Sequence, residues 1–239
     1  ESAINIFENL IELYPKESNI YYLLGTVYED MDNFKTALAH YEKALEQDPE
    51  NLDALHGLRV CYQELEDVSK LEDICNKILQ INPIDRSALN SLGIISMERE
   101  NYEKAIRLLN KVIDKDNHFI TAWFNLGIAY VKSKKYRKAI EALNIVLEFE
   151  PENIDALALL AKTYLDNKDF NKAIDLFKLL IEKDRKKVFY LLGLAYSYIY
   201  KNKISKALNC LNQILELDPK SEEAQFLKKK IETQLEENK

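Results

Sequence analysis

The five prolines of this chain constrain its fold more than any other feature. They stand at Pro15, Pro49, Pro83, Pro151 and Pro219, and every gap between neighbours is 34 or 68 residues. Independent placement would put all five at one phase of such a period roughly once in a million. Proline lacks the amide hydrogen a helix interior needs and clashes with the preceding turn, so a proline at fixed phase marks the end of each repeating unit. Other residues keep the same period. Ala3, Ala37, Ala105, Ala139, Ala173 and Ala207 share one phase, interrupted only by Leu71; Gly25, Gly93 and Gly127 share a second, and Tyr28, Tyr62, Tyr130 and Tyr164 a third.

Inside each unit the apolar residues fall at helical spacing. Tyr21, Leu24 and Tyr28 lie three and four apart, as do Ala37, Tyr41 and Ala44. The polar stretch Asp30-Met31-Asp32-Asn33 separates these two faces and reads as a turn, and Asp48-Pro49 closes the unit. Each unit is therefore expected to be a helix, a turn and a second helix. Neither helix can bury its apolar face alone, so the units must stack into one continuous core. Composition agrees: 47% hydrophobic and 31% charged residues suit a packed core rather than a disordered chain, and five glycines are too few for a fold built on tight β-turns.

These residues resemble the tetratricopeptide repeat, whose first helix carries a large residue, Leu-Gly and Tyr, whose second carries a small Ala and an aromatic, and which Pro closes. Trp123, Leu126, Gly127, Tyr130, Ala139 and Pro151 follow that order, as do Tyr21, Leu24, Gly25, Tyr28, Ala37, Tyr41, Ala44 and Pro49. The resemblance covers essentially the whole chain. It implies an all-α fold, a right-handed superhelical solenoid of helical hairpins. Six repeats are expected, at 18–51, 52–85, 86–119, 120–153, 154–185 and 186–219. Residues 1–17 supply the second helix of a further repeat, so the chain is expected to be a piece of a longer array. Residues 220–239 are expected to form a capping helix, with Ser221 as its N-cap and a polar outer side.

Two repeats depart from the pattern. In the second, Arg59 stands for Gly, Leu71 for Ala and Cys75 for an aromatic. Leu71 and Cys75 read as a volume exchange, and Arg59 as a snorkelling stem with a solvated head. In the sixth, Phe189, Leu192, Gly193 and Tyr196 look like the packing stripe displaced two residues toward the N-terminus, which predicts a shorter linker before the helix and a longer turn after it.

No constellation for catalysis is visible. There is no Gly-rich phosphate loop and no nucleophile motif, and His40, His56 and His118 have no metal spacing. Cys61, Cys75 and Cys210 read as buried free thiols of a reducing compartment. A non-enzyme with no cofactor and no metal is expected, cytoplasmic unless a missing N-terminal segment carries a signal or anchor. The net charge is −7, with 27 lysines against 6 arginines, which disfavours nucleic acid, and no apolar run is long enough to insert in a membrane.

The resemblance also places a partner. First helices in the family line a concave groove where peptides lie, one helical face away from the packing stripe. That predicts Tyr22, Thr26, His56, Asn90, Ile94, Met97, Phe124, Ile128, Val131, Lys132, Lys162 and Tyr190 as peptide-binding, with Lys187 beside Tyr190 in the sixth repeat. The Lys/Asn set with which one branch grips a C-terminal carboxylate does not occur on three consecutive repeats. Instead the middle of the expected groove is apolar, with Phe124 its most prominent residue. Residues 1–85 carry 6 Lys and Arg against 18 Asp and Glu, a net of −12; residues 86–239 carry 27 against 22, a net of +5. The expected ligand is a segment with an apolar centre flanked by opposite charges. The function read from all this is a protein-interaction scaffold. A self-association module giving a homo-oligomer, or a substrate-recruiting arm of a larger enzyme, are the alternatives.

Overall fold

The computed structural model describes residues 2–183 and 188–237, and among these there are fourteen α-helices and no strand. They alternate as the 34-residue phase requires. The first helices of the repeats are α2 (Ser18–Glu29), α4 (Leu52–Glu64), α6 (Arg86–Glu98), α8 (Ile120–Lys132), α10 (Ile154–Asp166) and α12 (Val188–Tyr200). The second helices are α3 (Phe34–Gln47), α5 (Val68–Ile81), α7 (Tyr102–Lys115), α9 (Tyr136–Phe149), α11 (Phe170–Lys183) and α13 (Ile204–Leu217). α1 (Ser2–Leu13) precedes them as a second helix, and α14 (Glu222–Glu237) follows directly after Ser221.

The punctuation is local chemistry. Asn51, Asp85 and Asn153 cap first helices by accepting from Ala54, Ala88 and Ala156 N–H. Asn33, Asp67 and Asn101 cap second helices by accepting from Thr36, Lys70 and Lys104 N–H. Between the two helices of every repeat one residue takes the left-handed conformation: Asp32, Glu66, Glu100, Lys134, Lys168 and Asn202, with φ from 54° to 64°. These are spaced 34 residues apart without exception, so all six repeats keep the same internal turn.

The chain forms two compact units that meet in sequence at Ala122 and Trp123, inside α8. In the first, α2, α3, α4, α5 and α6 pack successively, and α2 also packs on α4. Its core centres on Tyr41, Leu55, Cys61, Cys75 and Ile78, all essentially buried. Tyr41 fits because two neighbours lack a Cβ: an added methyl would sit 2.6 Å from its ring at Gly25, in the same repeat, and 2.4 Å at Gly57, in the next. The second unit repeats the device four repeats later. Phe177 holds the place of Tyr41, and a Cβ on Gly193 would come within 2.3 Å of it.

The same pairing explains Arg59. Gly25 faces Tyr41, Gly93 faces Leu109 and Gly127 faces Leu143, so the place of Arg59 faces that of Cys75. A small thiol there leaves room that a glycine partner would not fill. The Arg59 stem enters it, its guanidinium 3.5 Å from Ser91 Oγ and from Gln63 Oε1. Leu71 and Cys75, the pair expected to exchange volume, are both buried in the core of this unit, and Arg59 stands close to Cys75 as well. Burial pushes the Cys75 thiol up to about 11, against the opposing pull of the Arg59 charge and a hydrogen bond with Ser91. Cys61 and Cys210, also buried and free, are pushed up to about 12 and about 11 by the same loss of water. All three thiols stay protonated and unreactive near neutral pH.

The displacement expected in the sixth repeat does not occur. α12 is thirteen residues long like α4, α6, α8 and α10, and it buries Leu191, Leu194, Ala195 and Tyr198. Those four stand in the undisturbed frame of Tyr21, Leu24, Gly25 and Tyr28. Asn202 supplies the usual turn, with no extra residues. The expected boundary at 185 and 186, and Lys187, lie outside the described residues.

Candidate functional site

In the second unit the first-helix face opens into a cleft of about 690 Å³ between α10, α12 and the start of α14. Beneath it lies the buried Phe177 ring, against which Gly193 packs directly because it has no side chain. Leu165, Phe170, Phe189, Leu192, Tyr196 and Tyr200 form its walls, and Lys162, Asp166, Lys168 and Glu223 stand at its edge. Phe170 and Tyr200 stack with ring centres 5.1 Å apart and planes 7° from parallel. Phe189 and Tyr200 remain 49% and 64% exposed, so these large rings are not consumed by the core. The Tyr196 hydroxyl donates to Glu223 Oε1 at 2.7 Å, which ties α12 to α14. That bond, with burial and the carboxylate charge behind it, pushes the Tyr196 hydroxyl up to about 12, so it acts as a fixed donor.

The first unit carries two concavities on its first-helix face. The smaller, about 170 Å³, lies between α2 and α4 and is lined by Tyr22, Thr26, Glu29, Asp53, His56 and Val60 over Tyr41 and Gly57. The larger, about 540 Å³, lies between α4, α5 and α6. Gln63, Glu66, Ser91 and Glu98 give it a polar rim around Tyr62, Val68, Leu71, Ile94 and Ile95.

The residues predicted from sequence scatter over these features. Tyr22, Thr26 and His56 meet in the smaller cavity, Ile94 lines the larger one and Lys162 edges the aromatic cleft. Met97, Ile128 and Val131 are half-buried and line none of the three, and Lys132 is exposed. Phe124 is half-buried against the core of the second unit rather than standing open. Asn90 and Tyr190 are corrections: they are 8% and 3% exposed, too enclosed to offer a partner a surface. For Tyr190 the cause is the frame of α12, which turns this ring into the core and turns Phe189, Leu192 and Tyr196 outward. The sequence reading missed those three, and Phe170 and Tyr200 with them. Adding two periods to Phe124 and Ile128 gives Leu192 and Tyr196, so the unbroken 34-residue frame would have found them.

Sequence comparison agrees with the geometry. The tetratricopeptide repeat family matches residues 18–51, 96–150, 133–192 and 190–221. The chain belongs to the tetratricopeptide repeat family. A search of curated protein sequences returns no match. Among solved structures, PilF of Pseudomonas aeruginosa is similar at 22% identity, over 90% of this chain and 98% of that one, with a TM-score of 0.72. PilW, a type IV pilus biogenesis factor, is similar at 24% identity, over 88% and 97%, also with a TM-score of 0.72. YrrB, a TPR protein with an unusual peptide-binding site, is similar at 19% identity, over 93% and 97%, with a TM-score of 0.54. At these identities the likeness is one of fold. Among the described residues of this tetratricopeptide repeat protein, no group of three His, Cys, Asp or Glu side chains could hold a metal ion. No described helix is long and apolar enough to cross a membrane.

Proposed function

We propose that this tetratricopeptide repeat chain is a non-catalytic scaffold that holds a segment of another polypeptide, and that the aromatic cleft of its second unit is the principal grip. The observation that carries the reading is the exposure of Phe189 and Tyr200 inside a walled cleft. Large rings kept out of the core and gathered in one concavity mark a surface that another molecule covers. The cleft volume lies inside the range of about 300–1,000 Å³ typical of sites that enclose a ligand group. An apolar or aromatic side chain entering it would remove water from Phe189, Leu192 and Tyr200, each Å² of apolar surface contributing about 25 cal/mol before the cost of ordering the segment. The charged groups at its edge, Lys162, Asp166 and Lys168 beside α10 and Glu223 on α14, can orient a segment whose apolar anchor is flanked by charge. YrrB, which shares the fold, is described as having a peptide-binding site.

The test is selection of dodecamer peptides from a random display library on the whole chain, followed by titration of the winners against Phe189→Ala and Tyr200→Ala. Both side chains are exposed, so both variants should keep the wild-type circular dichroism. Winning peptides should carry an aromatic or long aliphatic anchor and lose at least about tenfold in affinity, some 1.4 kcal/mol, to either variant. Winners that bind both variants as tightly as the wild type would refute the assignment.

A further inference from the structure

We infer that the small cavity between α2 and α4 is a receptor for a single basic side chain, lysine or arginine, of a bound polypeptide. At about 170 Å³ it is well below the size that encloses a small molecule, and it suits one long side chain. The cavity is built by packing: Gly57 closes directly onto the buried Tyr41 ring, which underlies the cavity, and the Tyr22 ring stands 6.0 Å from that of Tyr41 at 33° as a wall. Two carboxylates from successive repeats line it, Glu29 on α2 and Asp53 on α4. The buried Tyr41 hydroxyl donates to Glu29 Oε2 at 2.6 Å, which holds that carboxylate in place and leaves Oε1 for another donor. Both charges converge on the same spot. After burial, Asp53 and then Glu29 are what raise the Tyr22 hydroxyl above its ordinary range.

Nothing described in the chain neutralises this pair. Among the described residues neither Glu29 nor Asp53 has a cation within ion-pair distance. His56, the cavity's own basic group, is already engaged with Asp85 at 3.2 Å. An ammonium or guanidinium entering here would meet two carboxylates and the Tyr22 ring while its methylenes pack on Val60 and Thr26. An uncharged chain of the same length would instead strip water from the carboxylates without replacing it. The second unit supplies an internal control. Its cleft uses the same glycine and aromatic places, Gly193 and Phe177, but Leu165 and Phe189 stand where Glu29 and Asp53 stand in the first unit, and Lys162 where Thr26 does. One architecture thus appears twice with opposite chemistry, so the acidic character belongs to the residues chosen and not to the packing device.

The experiment titrates the whole ¹⁵N-labelled chain with capped Gly-Ser-Gly-X-Gly-Ser-Gly peptides in which X is lysine, arginine, norleucine or glutamate. The lysine and arginine peptides should give saturable shifts at the amides of Thr26, Gly57 and Val60, with norleucine at least tenfold weaker and glutamate silent. Glu29→Gln keeps an acceptor for the Tyr41 hydroxyl and Asp53→Asn alters an exposed side chain, so both variants should fold. Each should weaken the lysine peptide roughly tenfold. The inference is overturned if norleucine binds as well as lysine, if the carboxamide variants bind lysine unchanged, or if lysine shifts spread over the acidic surface without saturating at Gly57. Phe189→Ala should leave lysine binding intact, so the aromatic cleft and this cavity stand or fall separately.

Discussion

Gly57 and Gly193 hold the same place four repeats apart, and each is pressed against an aromatic ring of the preceding second helix. Where that ring is replaced within a unit, the glycine goes too: Cys75 is followed by Ser91 and Leu143 by Leu159. At the Tyr41–Gly57 and Phe177–Gly193 junctions, one inside each unit, the large ring is therefore matched to the missing side chain. Gly193→Ala forces a methyl to 2.3 Å from Phe177 and should destabilise the chain by about 1–3 kcal/mol in urea unfolding. Phe177→Leu creates space, and the double variant should be less destabilised than the sum of the singles by roughly 1 kcal/mol or more. Strict additivity would mean that the two side chains do not share one volume. This matching was only partly legible in the sequence. The substitutions at Arg59 and Cys75 were visible as a departure, but which two places face each other is a matter of how helices cross, and spacing along one chain does not report it.

At the scale of the helix, period and punctuation were legible because each rests on local chemistry. Prolines, caps and turns recur every 34 residues, and the left-handed turn residues confirm the frame in all six repeats. The frame was lost only at α12, whose sequence Val-Phe-Tyr-Leu-Leu-Gly-Leu-Ala-Tyr-Ser-Tyr-Ile-Tyr is apolar on every side. Periodicity assigns a buried face only when the other face is polar. The Leu192-Gly193 pair then imitated the packing motif two residues early, and the aromatic cleft went unread as a consequence. The caps differ from helix to helix in a way that can be exploited. Lys203 precedes α13 with φ −92° and ψ 62° and makes no side-chain cap, whereas Asn33 precedes α3 with φ −91° and ψ 64° and does. The backbone is already in capping geometry, so Lys203→Asn should stabilise the chain by about 1 kcal/mol. A denaturant midpoint that fails to rise would show that the end of α13 is satisfied by water as well as by a side chain.

Over the whole molecule the two proposed grips should part company in salt. Residues 1–85 carry a net charge of −12 and residues 86–239 a net of +5, and the cavity with Glu29 and Asp53 lies in the acidic stretch while the aromatic cleft lies in the other. The range of a surface charge shrinks from about 10 Å at 0.1 M salt to about 3 Å at 1 M. A lysine peptide drawn to Glu29 and Asp53 should therefore weaken roughly tenfold over that interval, since most of its attraction is Coulombic and only partly sheltered from solvent. An aromatic anchor in the Phe189 cleft owes its binding to water released from apolar surface, which salt does not screen and which sulfate strengthens. Its affinity should stay within about twofold in sodium chloride and rise in sodium sulfate. The same series read by sedimentation separates binding of a foreign segment from self-association, because acidic and basic stretches of two copies docking together would dissociate as salt rises. A lysine peptide indifferent to salt would remove the charge argument for the acidic cavity. An aromatic peptide as salt-sensitive as the lysine one would mean that Lys162 and Lys168, and not the rings beside them, hold the segment in the cleft.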